Sequence, residues 1–354
     1  MKKYQVNDNT ELLIKMMQDL KNADSLYRPG KYWLGFQDRF VEELKKKGLK
    51  NFRRRKNSVL SSFAATEHLD LRYRFKSLFK SSKVIANGFF KLAHKFGLKV
   101  SFNYNAEDIT KYFYILTKKK FNDNTLEINQ CGTNRFGNPE SIIEINGALW
   151  TFAHLQYCSM FIDTFKHINF KEQMIFCELG SGMGRNIEVM AKLYPKGTFF
   201  VIDIPPQLYV AEQYLSSVFG DSRVIGYNYT NKLKLVDKEL LKKLKGKIII
   251  IPSWQIAQLE DLKIDVFWNS ASFQEMEPKI VYNYLKIVKN MNPKYVYINA
   301  VPEGLEGFTS EVNTKDHYVN SLNEEFDLIS EYETDNFLAP DLYKSYVWKQ
   351  KPKL

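Results

Sequence analysis

The run Met174-Ile175-Phe176-Cys177-Glu178-Leu179-Gly180-Ser181-Gly182-Met183-Gly184-Arg185 constrains the fold more than any other part of the chain. An apolar stretch ends in an acidic residue, three glycines alternate with Ser181 and Met183, and a helical pattern resumes over 186–193. Glycine has no Cβ, so the backbone can turn sharply there and a ligand can approach it closely. A parallel strand that enters such a turn and leaves as a helix forms the nucleotide corner of a doubly wound α/β sheet. Spacing separates the ligands: G-x-G-x-x-G suits a dinucleotide pyrophosphate and G-x-x-x-x-G-K-[ST] a triphosphate. Here the order is E-x-G-x-G-x-G, with no Lys-Ser/Thr after it. A carboxylate at Glu178 would repel a phosphate but could hold the cationic amino end of S-adenosylmethionine, directly or through water.

A second apolar run, Thr198-Phe199-Phe200-Val201-Ile202-Asp203, ends in a carboxylate near the expected interval after the glycines. An acidic side chain there can accept hydrogen bonds from both ribose hydroxyls. Taken singly, Glu178 reads equally well as a helix N-terminal charge and Asp203 as a turn residue. Together, at this spacing, they point to a nucleoside cofactor.

At 354 residues, 44% of them hydrophobic, the chain can bury a large core and divides into two domains or one with a big extension. It contains no apolar stretch long enough to cross a bilayer. The polar N-terminus does not read as a signal peptide, so a cytoplasmic protein is expected. Cys131, Cys158 and Cys177 make no metal pattern, and Cys177 is expected as a buried thiol in a core strand. The net charge of +11 is uneven: residues 1–120 carry 27 Lys+Arg against 11 Asp+Glu, and the remainder 24 against 29. The densest parts are Lys45-Lys46-Lys47, Arg53-Arg54-Arg55-Lys56 and 72–99, the last interleaved with phenylalanines. Such a field favours an anionic partner, whether nucleic acid, an anionic membrane surface or a phosphorylated or acidic glycan. The plain alternative is a solvated helical face.

Apolar residues at helical spacing predict helices over about 8–50, broken at Tyr27-Arg28-Pro29-Gly30, and mostly helix over 58–121 with interruptions at Gly88 and Gly97. The polar segment 122–139 suggests a boundary between a helical, basic domain (1–130) and a cofactor domain (131–354). Residues 142–170 read as one or two helices. From Met174 strands and helices alternate, with further strands at 247–251, 264–269 and 295–301 and helices at 207–219 and 278–291. This predicts an α/β, doubly wound, mostly parallel, Rossmann-like sheet. Runs at 325–333 and 345–349 would close it as an antiparallel hairpin.

Residues 178–185 (ELGSGMGR), 203–209 (DIPPQLY) and 268–276 (WNSASFQEM) resemble a bacterial sugar O-methyltransferase family within the class I S-adenosylmethionine-dependent methyltransferases. The resemblance covers about 130–300. It implies a cofactor site in which Gly180, Ser181, Gly182 and Gly184 line the methionine end, with Glu178 at its amino group. Asp203 would take the ribose, and Ile204 would pack on the adenine. Ser253-Trp254-Gln255 would touch the adenine ring, and Asn269 and Ser270 would lie where the methyl group points. Arg185 could recognise a carboxylate or pair with a helix acid such as Glu188.

The family is associated with surface polysaccharides, which implies a sugar hydroxyl as acceptor. A hydroxyl is weakly acidic, so a general base is needed. Glu275, after the fourth strand, His317 beside Asp316, and His154 ahead of the cofactor domain are the candidates; Glu275 reads also as a helix N-terminal acid, and each histidine as a hydrogen-bonding structural residue. No paired Asp-Asp follows the fourth strand, so no metal is expected. A phosphate-bearing or acidic sugar acceptor, peripheral contact with an anionic membrane, and a homodimer through the aromatic N-terminal helices are compatible with this reading. Two alternatives are a nucleic-acid methyltransferase, weakened by the lack of N-P-P-[YF] after Trp268, and a non-catalytic cofactor-binding module.

Overall fold

In a computed structural model the described residues are 4–56, 58–63, 65–67, 106–334 and 342–352. The basic, phenylalanine-rich run at 72–99, with Gly88 and Gly97, lies outside them. The described helices are α1 (Thr10–Asn22), α2 (Lys31–Lys47), α3 (Ala106–Asp123), α4 (Phe152–Phe165), α5 (Arg185–Leu193), α6 (Gln207–Phe219), α7 (Tyr227–Thr230), α8 (Lys238–Leu244), α9 (Pro278–Met291) and α10 (Lys315–Leu322). The strands are β1 (Ile143–Ile145), β2 (Ala148–Trp150), β3 (Ile175–Leu179), β4 (Thr198–Asp203), β5 (Val224–Ile225), β6 (Ile248–Pro252), β7 (Val266–Ser270), β8 (Tyr295–Ala300), β9 (Phe326–Glu333) and β10 (Lys344–Gln350). No helix among the described residues is long and apolar enough to cross a membrane.

Eight strands form one sheet in the order β5-β6-β4-β3-β7-β8-β10-β9. The pairings from β5 to β8 are parallel, and β10 runs antiparallel between β8 and β9. The doubly wound sheet and its antiparallel closing hairpin are therefore present. β4 and β6 are buried along their whole length, which is why they read as unbroken apolar runs: helices cover both faces of a parallel sheet. Chain order reverses between β3 and β7, the switch point outside which ligands bind in open α/β sheets. Register brings Leu179 beside Ile202 and Asp203 beside Pro252, so the carboxyl ends of β3, β4 and β6 open onto one edge.

Helix limits follow local chemistry. α9 begins with Pro278 at its first position and ends on Asn292 in the left-handed conformation. The expectation of helix throughout 142–170 is corrected. Residues Ile143–Ile145 and Ala148–Trp150 pair as an antiparallel hairpin around Asn146-Gly147, both at positive φ, and only then does α4 begin. Asn-Gly is a strong two-residue hairpin signal, and it outweighs the short apolar period around it. β5, α8 and α10 also form where no element was expected.

Two apolar clusters cover the faces of the sheet. One joins Leu12, Met16, Phe40, Leu49 and Phe52 from the N-terminal segment to Phe152, Ile187, Leu208, Tyr209 and Trp268. The other packs α9 and α10 against the opposite face through Leu285, Val288, Tyr318 and Trp348.

Candidate functional site

β3 carries Glu178 to the carboxyl edge and the glycines turn the chain there. Gly180 donates to Ile202 O at 2.8 Å, and Gly184 N closes on Ser181 O at 2.8 Å. Gly180 has φ +78°, and a Cβ there would run into Ser272 Oγ. Gly182, at φ +56°, lies under the backbone of Phe63, whose carbonyl oxygen would be 3.2 Å from an added Cβ. The turn therefore takes its shape from glycine and is roofed by the N-terminal segment.

A cavity of about 260 Å³ opens above it. Of the expected residues, Glu178, Gly180, Ser181, Gly182, Asp203, Ile204, Ser253, Ser270 and Glu275 line it. Asp203 Oδ2 accepts from Gly182 N and Oδ1 from Ile204 N, each at 2.7 Å. Every carboxylate oxygen has a second lone pair, so both can accept again. Glu178 Oε1 accepts from Asn186 Nδ2 at 2.6 Å, while Oε2 is buried with no hydrogen-bond partner among the described residues.

The cleft is acidic. Burial, then the neighbouring Asp203 charge, pushes Glu178 up to about 8. Burial pushes Asp203 up to about 7 against its two backbone donors. Burial raises Glu275 to about 8, with the Trp33 indole opposing the rise and Asp203 adding to it. A cationic or hydrogen-bond-donating ligand would stabilise the ionised forms of these three carboxyls and draw their raised values back down.

Other expected residues lie elsewhere. Gly184 caps α5 and presses on Leu215. Asn269 is buried and ties β7 to the glycine turn, donating to Leu179 O at 2.9 Å and Ser272 Oγ at 2.7 Å. Trp254 meets the Tyr227 ring edge-on rather than the cavity. The histidine candidates are corrected. His154 is fully buried, its Nε2 lies 2.6 Å from Cys131 O, and burial lowers it to about 4. His317 is exposed and caps α10, its Nδ1 accepting from Thr314 N at 3.0 Å. Neither lines the cavity, because each imidazole is engaged by a backbone group of its own neighbourhood. Arg185 does line it, yet its ion-pair partner is Glu67 at 2.5 Å and not Glu188.

The walls that sequence reasoning missed come from far away in the chain. Arg28, Pro29, Gly30 and Trp33 line the cavity from the N-terminal segment, with Ser62 and Phe63 as the roof, and Gln156, Tyr157, Met160, Asn299 and Tyr343 complete the lining. The Tyr27-Arg28-Pro29-Gly30 break was visible as a helix boundary, but nothing local marked it as a cleft wall.

No protein-family model matches the chain, and no curated protein matches it in sequence. Among solved structures it is similar to the Methanococcus jannaschii fibrillarin pre-rRNA processing protein, at 16% identity over 60% of this chain and 84% of that one, with a TM-score of 0.39. It is also similar to Aeropyrum pernix fibrillarin in complex with natively bound S-adenosyl-L-methionine, at 13% identity, 62% and 86% coverage and a TM-score of 0.37. A SAM-dependent methyltransferase from Aquifex aeolicus matches at 14% identity, 53% and 88% coverage and a TM-score of 0.34. Likenesses at these scores carry no argument about function.

Proposed function

We propose that the protein is an S-adenosylmethionine-dependent methyltransferase whose acceptor is a hydroxyl of a bacterial surface-polysaccharide sugar. The observation that carries this reading is the juxtaposition, at the sheet's switch point, of a glycine turn with the unpartnered Glu178 Oε2, Asp203 and Glu275. A buried carboxylate oxygen without a partner is costly and matches the ammonium of the cofactor's amino-acid end. Asp203 has acceptor capacity left for ribose hydroxyls, and Ile204 and Ser253, which line the same cavity, would take the adenine. When bound, S-adenosylmethionine supplies an activated methyl group. The chain's own residues must orient the acceptor and take its proton.

Glu275 is the residue suited to that proton. A carboxyl raised to about 8 is a stronger base, once ionised, than an ordinary carboxylate, and base strength matched to the operating pH favours proton transfer. A weakly acidic sugar hydroxyl needs such a group. The WNSASFQEM motif supports the sugar acceptor, and a basic N-terminal third suits one that bears phosphate at a cytoplasmic membrane face, in preference to nucleic acid.

Titration calorimetry with S-adenosylmethionine and S-adenosylhomocysteine, on the native chain and on Asp203→Ala, tests the cofactor half. The expected result is micromolar binding that the substitution weakens by about 1–3 kcal/mol, the scale for hydrogen bonds to a charged group. Absence of binding to both ligands would leave a fold without the activity. Absence of methylated product across a panel of sugar nucleotides and glycans would remove the acceptor half alone.

A further inference from the structure

The charges lining the cleft do not balance within the protein. Glu178, Asp203 and Glu275 supply three carboxyls, against the guanidiniums of Arg28 and Arg185. Arg185 is taken up by Glu67. Among the described residues Arg53, Arg55 and Arg185 have carboxylate partners within 4.0 Å, and Arg28 has none.

Arg28 is exposed to solvent, yet its guanidinium is tethered. Its Nε donates to Ala23 O at 2.7 Å, and the two terminal nitrogens of the guanidinium have no partner among the described residues. The backbone on both sides is anchored to the cleft wall. Tyr27 O accepts from Ser253 Oγ at 3.0 Å, and Gly30 lies against the backbone of Glu275 and Glu277. Pro29 fixes φ between these anchors. A guanidinium tethered through Nε presents a preorganised two-pronged donor, the geometry that matches phosphate and carboxylate oxygens. The cleft's carboxylates would otherwise repel an anionic group, so a ligand bearing one needs this cation.

We propose that Arg28 is the oxyanion-recognition residue of the cleft, selecting a ligand that carries a phosphate or carboxylate group within reach of the reacting centre. The acceptor is one source of that group and the amino-acid carboxylate of the cofactor the other; both assignments rest on the methyl-transfer reading, whereas the oxyanion site itself does not.

The experiment is calorimetry on the full chain, comparing wild type, Arg28→Gln and Arg28→Lys at constant ionic strength, with three probes. Inorganic pyrophosphate is titrated with and without S-adenosylhomocysteine; S-adenosylhomocysteine and 5′-methylthioadenosine, which lacks the amino-acid end, are titrated separately. Loss of pyrophosphate affinity by roughly tenfold or more in Arg28→Gln, partly restored in Arg28→Lys, with S-adenosylhomocysteine unchanged, assigns the oxyanion to the acceptor. A similar loss confined to S-adenosylhomocysteine, with 5′-methylthioadenosine unchanged, assigns it to the cofactor. Equal affinities for all three probes in all three proteins overturn the proposal, and a lowered melting temperature without any binding change would reduce Arg28 to its Ala23 contact. If wild type ignores both nucleosides, the methyl-transfer reading fails while the pyrophosphate titration still decides Arg28.

Discussion

Glu275 shows how environment turns an ordinary side chain into a chemical group. It sits in the short turn Phe273–Glu275 after β7, half-buried, with Trp33 on one side and Asp203, Tyr32 and Tyr343 within electrostatic reach. Desolvation penalises its charged form, and the Trp33 indole favours it. If Glu275 is the base, kcat/KM rises with pH through about 8, because the ionised form is the active one. Trp33→Phe removes the opposing contribution, so the rising limb shifts to higher pH; a limb that stays in place would separate Trp33 from the titrating group. His154 and His317, the more conventional bases, illustrate the opposite case. One ring nitrogen of each is engaged, His154 Nε2 by Cys131 O and His317 Nδ1 by the Thr314 cap, and no spacing rule in the chain distinguishes such a histidine from one that faces a cleft.

At the scale of elements, the start of α5 is locked to the N-terminal segment by buried charge. Glu67 lies between Arg53 and Arg185, each at 2.5 Å, and Arg53 also donates to Thr133 Oγ1 at 3.1 Å. One turn on, Glu188 accepts from Tyr214 at 2.6 Å, Asn134 at 2.8 Å and Lys192 at 2.6 Å. Burial works to raise Glu67, yet Arg185 and Arg53 outweigh it and hold the carboxyl at about 2. Removing one partner from a buried ion pair costs about 3–5 kcal/mol, because the remaining charges stay uncompensated, and Glu67→Gln is expected to lose that much in a urea melt at pH 7. Since the folded carboxyl titrates below its unfolded value of 4.5, its stabilisation is present above about pH 4.5 and lost as pH falls toward 2. The difference between wild type and variant must therefore narrow over that window, and a constant difference would mean the contact is not ionic.

At the scale of the whole molecule, residues on both sides of position 130 contribute to one apolar cluster: Leu12, Met16, Phe40 and Phe52 meet Leu208, Tyr209 and Tyr214. Tyr209 also donates to Asp8 at 2.5 Å and Tyr227 to Asp19 at 2.7 Å. Denaturant unfolding is expected to give a single transition by both far-UV circular dichroism and tryptophan fluorescence; two separated midpoints would mean that the N-terminal segment folds as a unit of its own. Local rules made the sheet half legible. Fully buried parallel strands must be continuously apolar, a tight turn at positive φ selects glycine as at Gly180, and proline opens α9, so each of these leaves a mark within a few residues. The Asn146-Gly147 hairpin left its mark too, overlooked because the apolar residues around it also fit a helical period. The roof over the glycine turn left none. Phe63 reaches Gly182, Trp33 reaches Glu275, and Glu67 reaches Arg185 across separations of more than a hundred residues. The sequence by itself thus determined the strand order's raw material and the glycine-and-carboxylate edge that points to a nucleoside ligand. Which side chains enclose that edge, and which carboxyls are desolvated enough to act as bases, only the tertiary structure decided, because burial and charge pairing depend on what packs nearby in space and not on what is adjacent in the chain.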